Sequence, residues 1–297
     1  MNYLLYIAIL PVALLLYYIY KKDTHKEPGN VLAKIFFFGV LAIIPAGILE
    51  VIVGPFFPIE NYRSIPLLFL NVFIAVALIE EFVKWLVIKL IIYKSEHFDE
   101  TFDGIVYAVF ASLGFACLEN IMYVITSGAG TGIVRAVTAV PLHACTGIIM
   151  GYFIGKAKLS AKNGQASQET TNIILSLLIP TTVHAIYDGL IFTKRMEFII
   201  AWGVFIIAIY IICFILVKKS TNSNESTETV SVVKTIPVTD STESINNEAP
   251  VIEPAPQIIT QEVTDQNTDN SKGIFCTHCG NKIDGSNFCP KCGHKNN

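Results

Sequence analysis

Apolar runs long enough to cross a bilayer dominate this chain. A helical crossing takes about 20 residues, and runs of about that length lie at about 3–20, 31–57, 66–93, 104–127, 133–155, 172–193 and 198–217. In lipid every backbone N–H and C=O must find its partner within the protein, so runs this long are helices. Composition agrees: 53% of the 297 residues are hydrophobic, 15% are charged, and mean hydropathy is +0.55, whereas a water-soluble domain carries about 25% charged residues. A net charge of −3 leaves no basic excess for a phosphate backbone, so no nucleic-acid partner is expected. The expected fold is an all-α polytopic membrane protein of about seven transmembrane helices, with the lipid bilayer as its surroundings.

The first run lacks a basic segment before it and a small-residue cleavage site after it, so it reads as an uncleaved span rather than a signal peptide. Orientation follows the basic residues in short loops. Lys21, Lys22, Lys26, Lys94, Lys156, Lys158, Lys162, Lys218 and Lys219 fall on one side, and Arg63, Lys194 and Arg195 on the other. The richer side is expected to be cytoplasmic, which places the N-terminus outside, the C-terminus inside and the protein in the cell membrane.

Three divisions follow: a membrane domain over 1–217, a tether over 218–272 and a small tail domain over 273–297. The tether is rich in Ser, Thr, Asn, Glu and Pro, with nine acidic residues against four lysines. It cannot bury enough apolar surface to fold alone, so it is expected to be disordered. The tail carries Cys276-x-x-Cys279 and Cys289-x-x-Cys292, followed by Gly280 and Gly293. Two such thiolate pairs make a closed tetrahedral site for a structural zinc ion, and in so short a segment the metal supplies the folding energy. A small β zinc ribbon is therefore expected, offering a cytoplasmic protein contact. The reducing cytoplasm argues against disulfides. Cys117, Cys145 and Cys213 sit singly in apolar runs and read as small buried hydrophobes.

Charges inside the apolar runs carry the functional signal, because each costs roughly 2.5–3.5 kcal/mol to insert at a helix centre. The third run holds Glu80, Glu81 and Lys84, the fourth Phe115, Glu119 and Asn120, the fifth His143, and the sixth His184 and Asp188. At 1.5 Å rise per residue, Glu80, Glu119, His143 and His184 fall within roughly 10 Å of one another in depth. His143 lies on a line with Gly147, Gly151 and Gly155, and Glu119 on a line with Ala108, Ser112 and Ala116. Small residues at that spacing let helices approach closely, so both side chains are expected to face the bundle interior. Pro141 and Pro180 precede the two histidines and can open the helix there. Lys84 can reach Glu80 or Glu81. These glutamates point about 100° apart, so one can face a site while the other anchors to a neighbouring helix. Asp188 can fix the His184 ring.

E-E-x-x-K at Glu80 to Lys84, F-x-x-x-E-N at Phe115 to Asn120 and H-x-x-x-D at His184 to Asp188 resemble the PrsW family of intramembrane proteases. That family is a relative of the CAAX-prenyl protease (Abi) superfamily, and the likeness spans residues 1–217. The resemblance implies an endopeptidase acting on a membrane-tethered protein substrate, with site-one cleavage of anti-sigma factors as the associated task. It also implies Glu80 as general base, Glu81 as its support, Glu119 in the water-holding place, and His184 with Asp188 at the oxyanion. Lys84 stands where the superfamily has Arg one residue later, Glu119 where it has His, and Asp188 where it has Asn. Activated water from a glutamate and a catalytic metal both remain open, although the absence of H-E-x-x-H excludes a zincin-like site. A proton-coupled transporter or channel, or a non-catalytic scaffold presenting the ribbon, are the competing readings.

Overall fold

The computed structural model describes residues 2–60, 62–234, 274–275 and 282–283. The chain divides into two compact units, Met1–Val238 and Thr239–Asn297. The first is helical: α1 (Asn2–Lys22), α2 (Gly29–Leu41), α3 (Ile43–Val53), α4 (Ile65–Val72), α5 (Leu78–Ile91), α6 (Thr101–Val137), α7 (Ala139–Lys162), α8 (Ala166–Phe192) and α9 (Met196–Lys234). A π-helical turn, Phe73–Ala77, joins α4 to α5. Six helical stretches are long and apolar enough to cross a membrane, and one of them, Thr101–Lys162, is 62 residues long.

That stretch contains two interruptions. Gly128 adopts φ 83°, a conformation open to glycine, and the helix breaks again at Thr138. The run expected at 133–155 is accordingly displaced: residues 129–137 form a short helical piece of their own, and α7 then runs over 139–162. The break at Gly128 falls in the gap between the fourth and fifth apolar runs, whereas the break at Thr138 lies within the fifth, where hydropathy does not show it. The turn brings Arg135 back onto Asn120 and Glu119 of the same helix (Arg135 Nε to Asn120 Oδ1 3.1 Å).

The first half of α6 is the central post, buried on almost every face. Small residues explain how its neighbours approach so closely. A Cβ on Gly151 of α7 would lie 2.5 Å from Ile105 Cα and closer still to the Gly104 carbonyl, and a Cβ on Gly39 of α2 would strike the Ala111 backbone. Dispersion between tightly apposed backbones replaces the hydrophobic effect, which is lost in lipid. Directional bonds add register: Asn120 Nδ2 donates to the Ala8 carbonyl at 3.0 Å, and Trp85 Nε1 donates to Ser176 Oγ at 3.0 Å. Cys117, Cys145 and Cys213 are free and buried.

The α9 backbone stays helical to Lys234, beyond the expected start of the tether at 218. The second unit contributes a short antiparallel pair, β1 (Ile274–Phe275) with β2 (Lys282–Ile283). The four ribbon cysteines, Cys276, Cys279, Cys289 and Cys292, lie outside the described residues.

Candidate active site

A cavity of about 610 Å³ lies inside the helical unit, lined among others by Glu50, Glu80, Glu119, Arg135, His143, His184 and Asp188. The polar groups foreseen on four separate helices therefore converge on one space. Immediately before α5, the π-turn rotates the face of all that follows, as such single-turn insertions do, often beside functional residues. The face it sets carries Glu80, Glu81 and Lys84.

Lys84 is the hub. It is fully buried, and its Nζ lies 3.1 Å from Glu80 Oε2, 2.9 Å from Glu81 Oε1 and 3.0 Å from His143 Nδ1. It also sits 4.3 Å from the centre of the Phe115 ring, a cation–π contact. The lysine thus reaches both glutamates rather than choosing one. The two carboxylates part as their angular offset requires. Glu81 has no exposure and takes His184 Nδ1 at 3.0 Å, which anchors α5 to α8. Glu80 retains 7% exposure and lines the cavity.

The histidines are held at both nitrogens. His143 presents Nδ1 to the Lys84 ammonium, which makes that nitrogen the acceptor, and its Nε2 donates to Glu119 Oε2 at 2.9 Å. His184 faces carboxylates on both sides, Glu81 through Nδ1 and Asp188 through Nε2 at 3.3 Å. Ser112 Oγ donates to the His143 carbonyl at 2.6 Å, where Gly147 lets α6 and α7 close up. Pro180 leaves α8 helical, and Pro141 falls in the first turn of α7.

Two residues escaped the sequence reading. Glu50 of α3 lines the cavity and forms no ion pair among the described residues. Arg135 Nη2 lies 2.8 Å from Glu119 Oε2 without hydrogen-bond alignment, and its guanidinium packs 3.9 Å from the centre of the Tyr123 ring. Glu50 could have been found by the same criterion as the others, a charge within an apolar run. Arg135 carries the same signal only weakly, as the third residue of the run at 133–155, where a charge near the end of a span is inexpensive.

A metal ion does not fit this arrangement. Both imidazoles are engaged at both nitrogens, and the Lys84 ammonium occupies the place between Glu80, Glu81 and His143 where a cation would bind. The buried oxygen left without a partner, Glu81 Oε2, belongs to a carboxylate already bound to Lys84 and His184. Among the described residues no group of three or more His, Cys, Asp or Glu could hold a metal.

Carboxylates, imidazoles and fixed cations around a cavity inside a bundle of membrane-length helices define a hydrolase that works within the membrane. The comparisons give the family: a family model described as PrsW family intramembrane metalloprotease matches residues 27–217, and the chain belongs to that family. Protease PrsW of Oceanobacillus iheyensis is 39% identical over 220 residues, covering 74% of this chain and 95% of its own length. Protease PrsW of Geobacillus kaustophilus is 37% identical over 65% of this chain and 78% of its own, and that of Bacillus subtilis is 37% identical over 61% and 79%. No solved structure matches. The chain is a multi-pass intramembrane protease acting on membrane-tethered substrate, and the transporter and scaffold readings fall behind. The description of the family as metalloproteases contrasts with the lysine-filled donor set seen here.

Proposed function

We propose that the chain hydrolyses a peptide bond through a water activated by Glu80. The observation that carries this is the division of labour on α5. Lys84 holds Glu80 Oε2, while Oε1 forms no bond among the described residues and the carboxylate faces the cavity. A base whose position is fixed and whose second oxygen is free suits proton abstraction from water. Glu80 takes the proton, and the resulting hydroxide adds to the carbonyl carbon. As the C–N bond breaks, the same proton passes to the leaving amine, giving a carboxylic acid and an amine, and the acid then yields its proton to that amine.

The neighbours act by position and charge. Glu81 and Asp188 hold His184, and Glu119 orients His143, a duty that fits its contacts better than holding water directly. Arg135 lines the cavity with N–H groups poorly aligned on Glu119, which makes it the donor best placed for the oxyanion. Glu50 supplies a further cavity carboxyl, from a helix whose buried residues amount to Ala46 alone.

Seven crossings, with the N-terminus outside and the C-terminus cytoplasmic, fit the lysine distribution once the 62-residue stretch is split at its two interruptions. The tail is read as a zinc ribbon on Cys276, Cys279, Cys289 and Cys292 that offers a cytoplasmic contact, and the β1–β2 pair, which brackets the first cysteine pair, supports it. Anti-sigma factors are the substrate class that the family resemblance offers. The test is cleavage of a single-span reporter protein co-reconstituted with the full chain in liposomes. Glu80→Gln should lower cleavage by about 10²–10⁴-fold while leaving the bundle assembled. Near-normal cleavage by Glu80→Gln would remove the base from this scheme.

A further inference from the structure

A second cavity, of about 510 Å³, lies where α5 and α7 end, lined by Lys89, Tyr93, Lys94, Lys158, Ala161 and Lys162. Lys89 lies in the last turn of α5, and Lys94 follows three residues after that helix ends at Ile91. Lys158 and Lys162 stand one turn apart on α7. Like charges gathered this closely repel unless something offsets them.

Within the protein two carboxylates offset part of this charge, Glu169 near Lys89 and Asp99 near Lys158, against four ammoniums. Lys158 Nζ donates to the Tyr93 carbonyl at 2.7 Å, and Lys162 Nζ to the Asp99 carbonyl at 2.9 Å. Lys89 Nζ lies 3.3 Å from the centre of the Tyr93 ring. These contacts fix the ammoniums without cancelling their charge. The nearby Glu169 carboxylate accepts from the Tyr93 hydroxyl at 3.0 Å. None of the four lysines forms an ion pair among the described residues.

The surroundings are those of an amphiphile. The pocket sits at the ends of two membrane-length helices, beside Leu90, which is 75% exposed, and Leu159, which is 47% exposed. We propose that this pocket binds a phosphate-bearing anionic headgroup, with a phospholipid as its source. The phosphate would lie among the four ammoniums and the acyl chains along Leu90 and Leu159. Basic pockets between transmembrane helices recognise such headgroups, and lysine binds phosphate as a point charge without demanding bidentate geometry.

The test uses the full chain in phosphatidylcholine nanodiscs with and without phosphatidylglycerol. Two readouts serve: phosphatidylglycerol retained after detergent extraction, by native mass spectrometry, and protection of the lysines from an amine-reactive reagent. Lys89→Gln with Lys94→Gln removes two charges that hold no backbone carbonyl, and retention should fall about fivefold per lysine. Lys158→Gln with Lys162→Gln should fall likewise, and replacing all four lysines by arginine should restore retention. Inorganic phosphate and glycerol phosphate form the soluble arm. Protection by these without retention of phosphatidylglycerol overturns the lipid source. Equal retention by the wild type and both glutamine variants, with no protection by soluble phosphate, overturns the site.

Discussion

At the scale of single residues, the charged cluster of the candidate site was legible because charge is expensive in lipid and is therefore conspicuous there. Glu80, Glu81, Lys84, Glu119, His143, His184 and Asp188 all announce themselves this way, and the structure brings them together. What a sequence does not show is who holds whom. The link from His143 to Lys84 bridges 59 positions. Glu50 shares the signal but has no polar companion a turn away on its own helix, so no motif draws attention to it. Replacing Glu80 with Gln keeps shape and removes basicity, and should lower cleavage of a reconstituted membrane-tethered reporter by about 10²–10⁴-fold. Lys84→Met acts differently. It leaves two buried carboxylates without their shared cation, a change that is strongly destabilising. Detergent extracts should contain little folded protein, measured by size-exclusion recovery. Normal recovery would remove Lys84 from its place at the hub. Glu50→Gln should assemble normally and lower cleavage, which tests whether this carboxyl takes part.

At the scale of elements, the helices were legible from hydropathy, and the break at Gly128 falls in the gap between the runs at 104–127 and 133–155, whereas the break at Thr138 was not legible, because it lies inside the second of those runs. The turn between α1 and α2 is a polar exception. Asp23 and Glu27 are buried there, Glu27 accepting from the Tyr107 hydroxyl and Asp23 Oδ2 accepting from the Glu27 backbone N–H at 3.3 Å. Burial pushes the Asp23 carboxyl above its ordinary value of 3.8. It does the same to Glu27, with Asp23 beside it adding in the same direction. A carboxyl raised in the folded state contributes stability that is complete below its unfolded value. That contribution is lost as pH rises through the folded value. Asp23→Asn keeps an acceptor for the Glu27 N–H and removes the charge. The variant should melt higher than the wild type at neutral pH, and the difference should vanish below about pH 4. A melting difference independent of pH would show that Asp23 is not ionised at a cost. Packing allows a sharper test. Gly151→Val drives a side chain into Gly104 and Ile105, and overpacking of that kind costs about 1–3 kcal/mol or more. The variant should lose thermal stability by an amount that no active-site substitution other than Lys84→Met approaches.

At the scale of the whole molecule, two metal questions separate cleanly because they belong to different units. The helical unit presents a site whose cation is a lysine, and the tail presents four cysteines spaced for zinc. Metal content of the full chain alone cannot distinguish them, so the comparison needs a chain ending at Lys234, which keeps α9 to its last described residue. The full chain should carry about one zinc, as a four-cysteine site takes, and the shortened chain none. Strong chelation should strip the zinc from the full chain. It should leave reporter cleavage by the shortened chain unchanged if, as proposed, Lys84 and not a metal holds Glu80 in place. Stoichiometric metal in the shortened chain, with cleavage lost on chelation and restored by adding the metal back, would mean that Lys84 moves aside to admit an ion. Zinc in both chains at equal content would remove the ribbon. Zinc in the full chain alone, with chelator-resistant cleavage by both, is the result that the positions of Lys84 and the two doubly engaged histidines require.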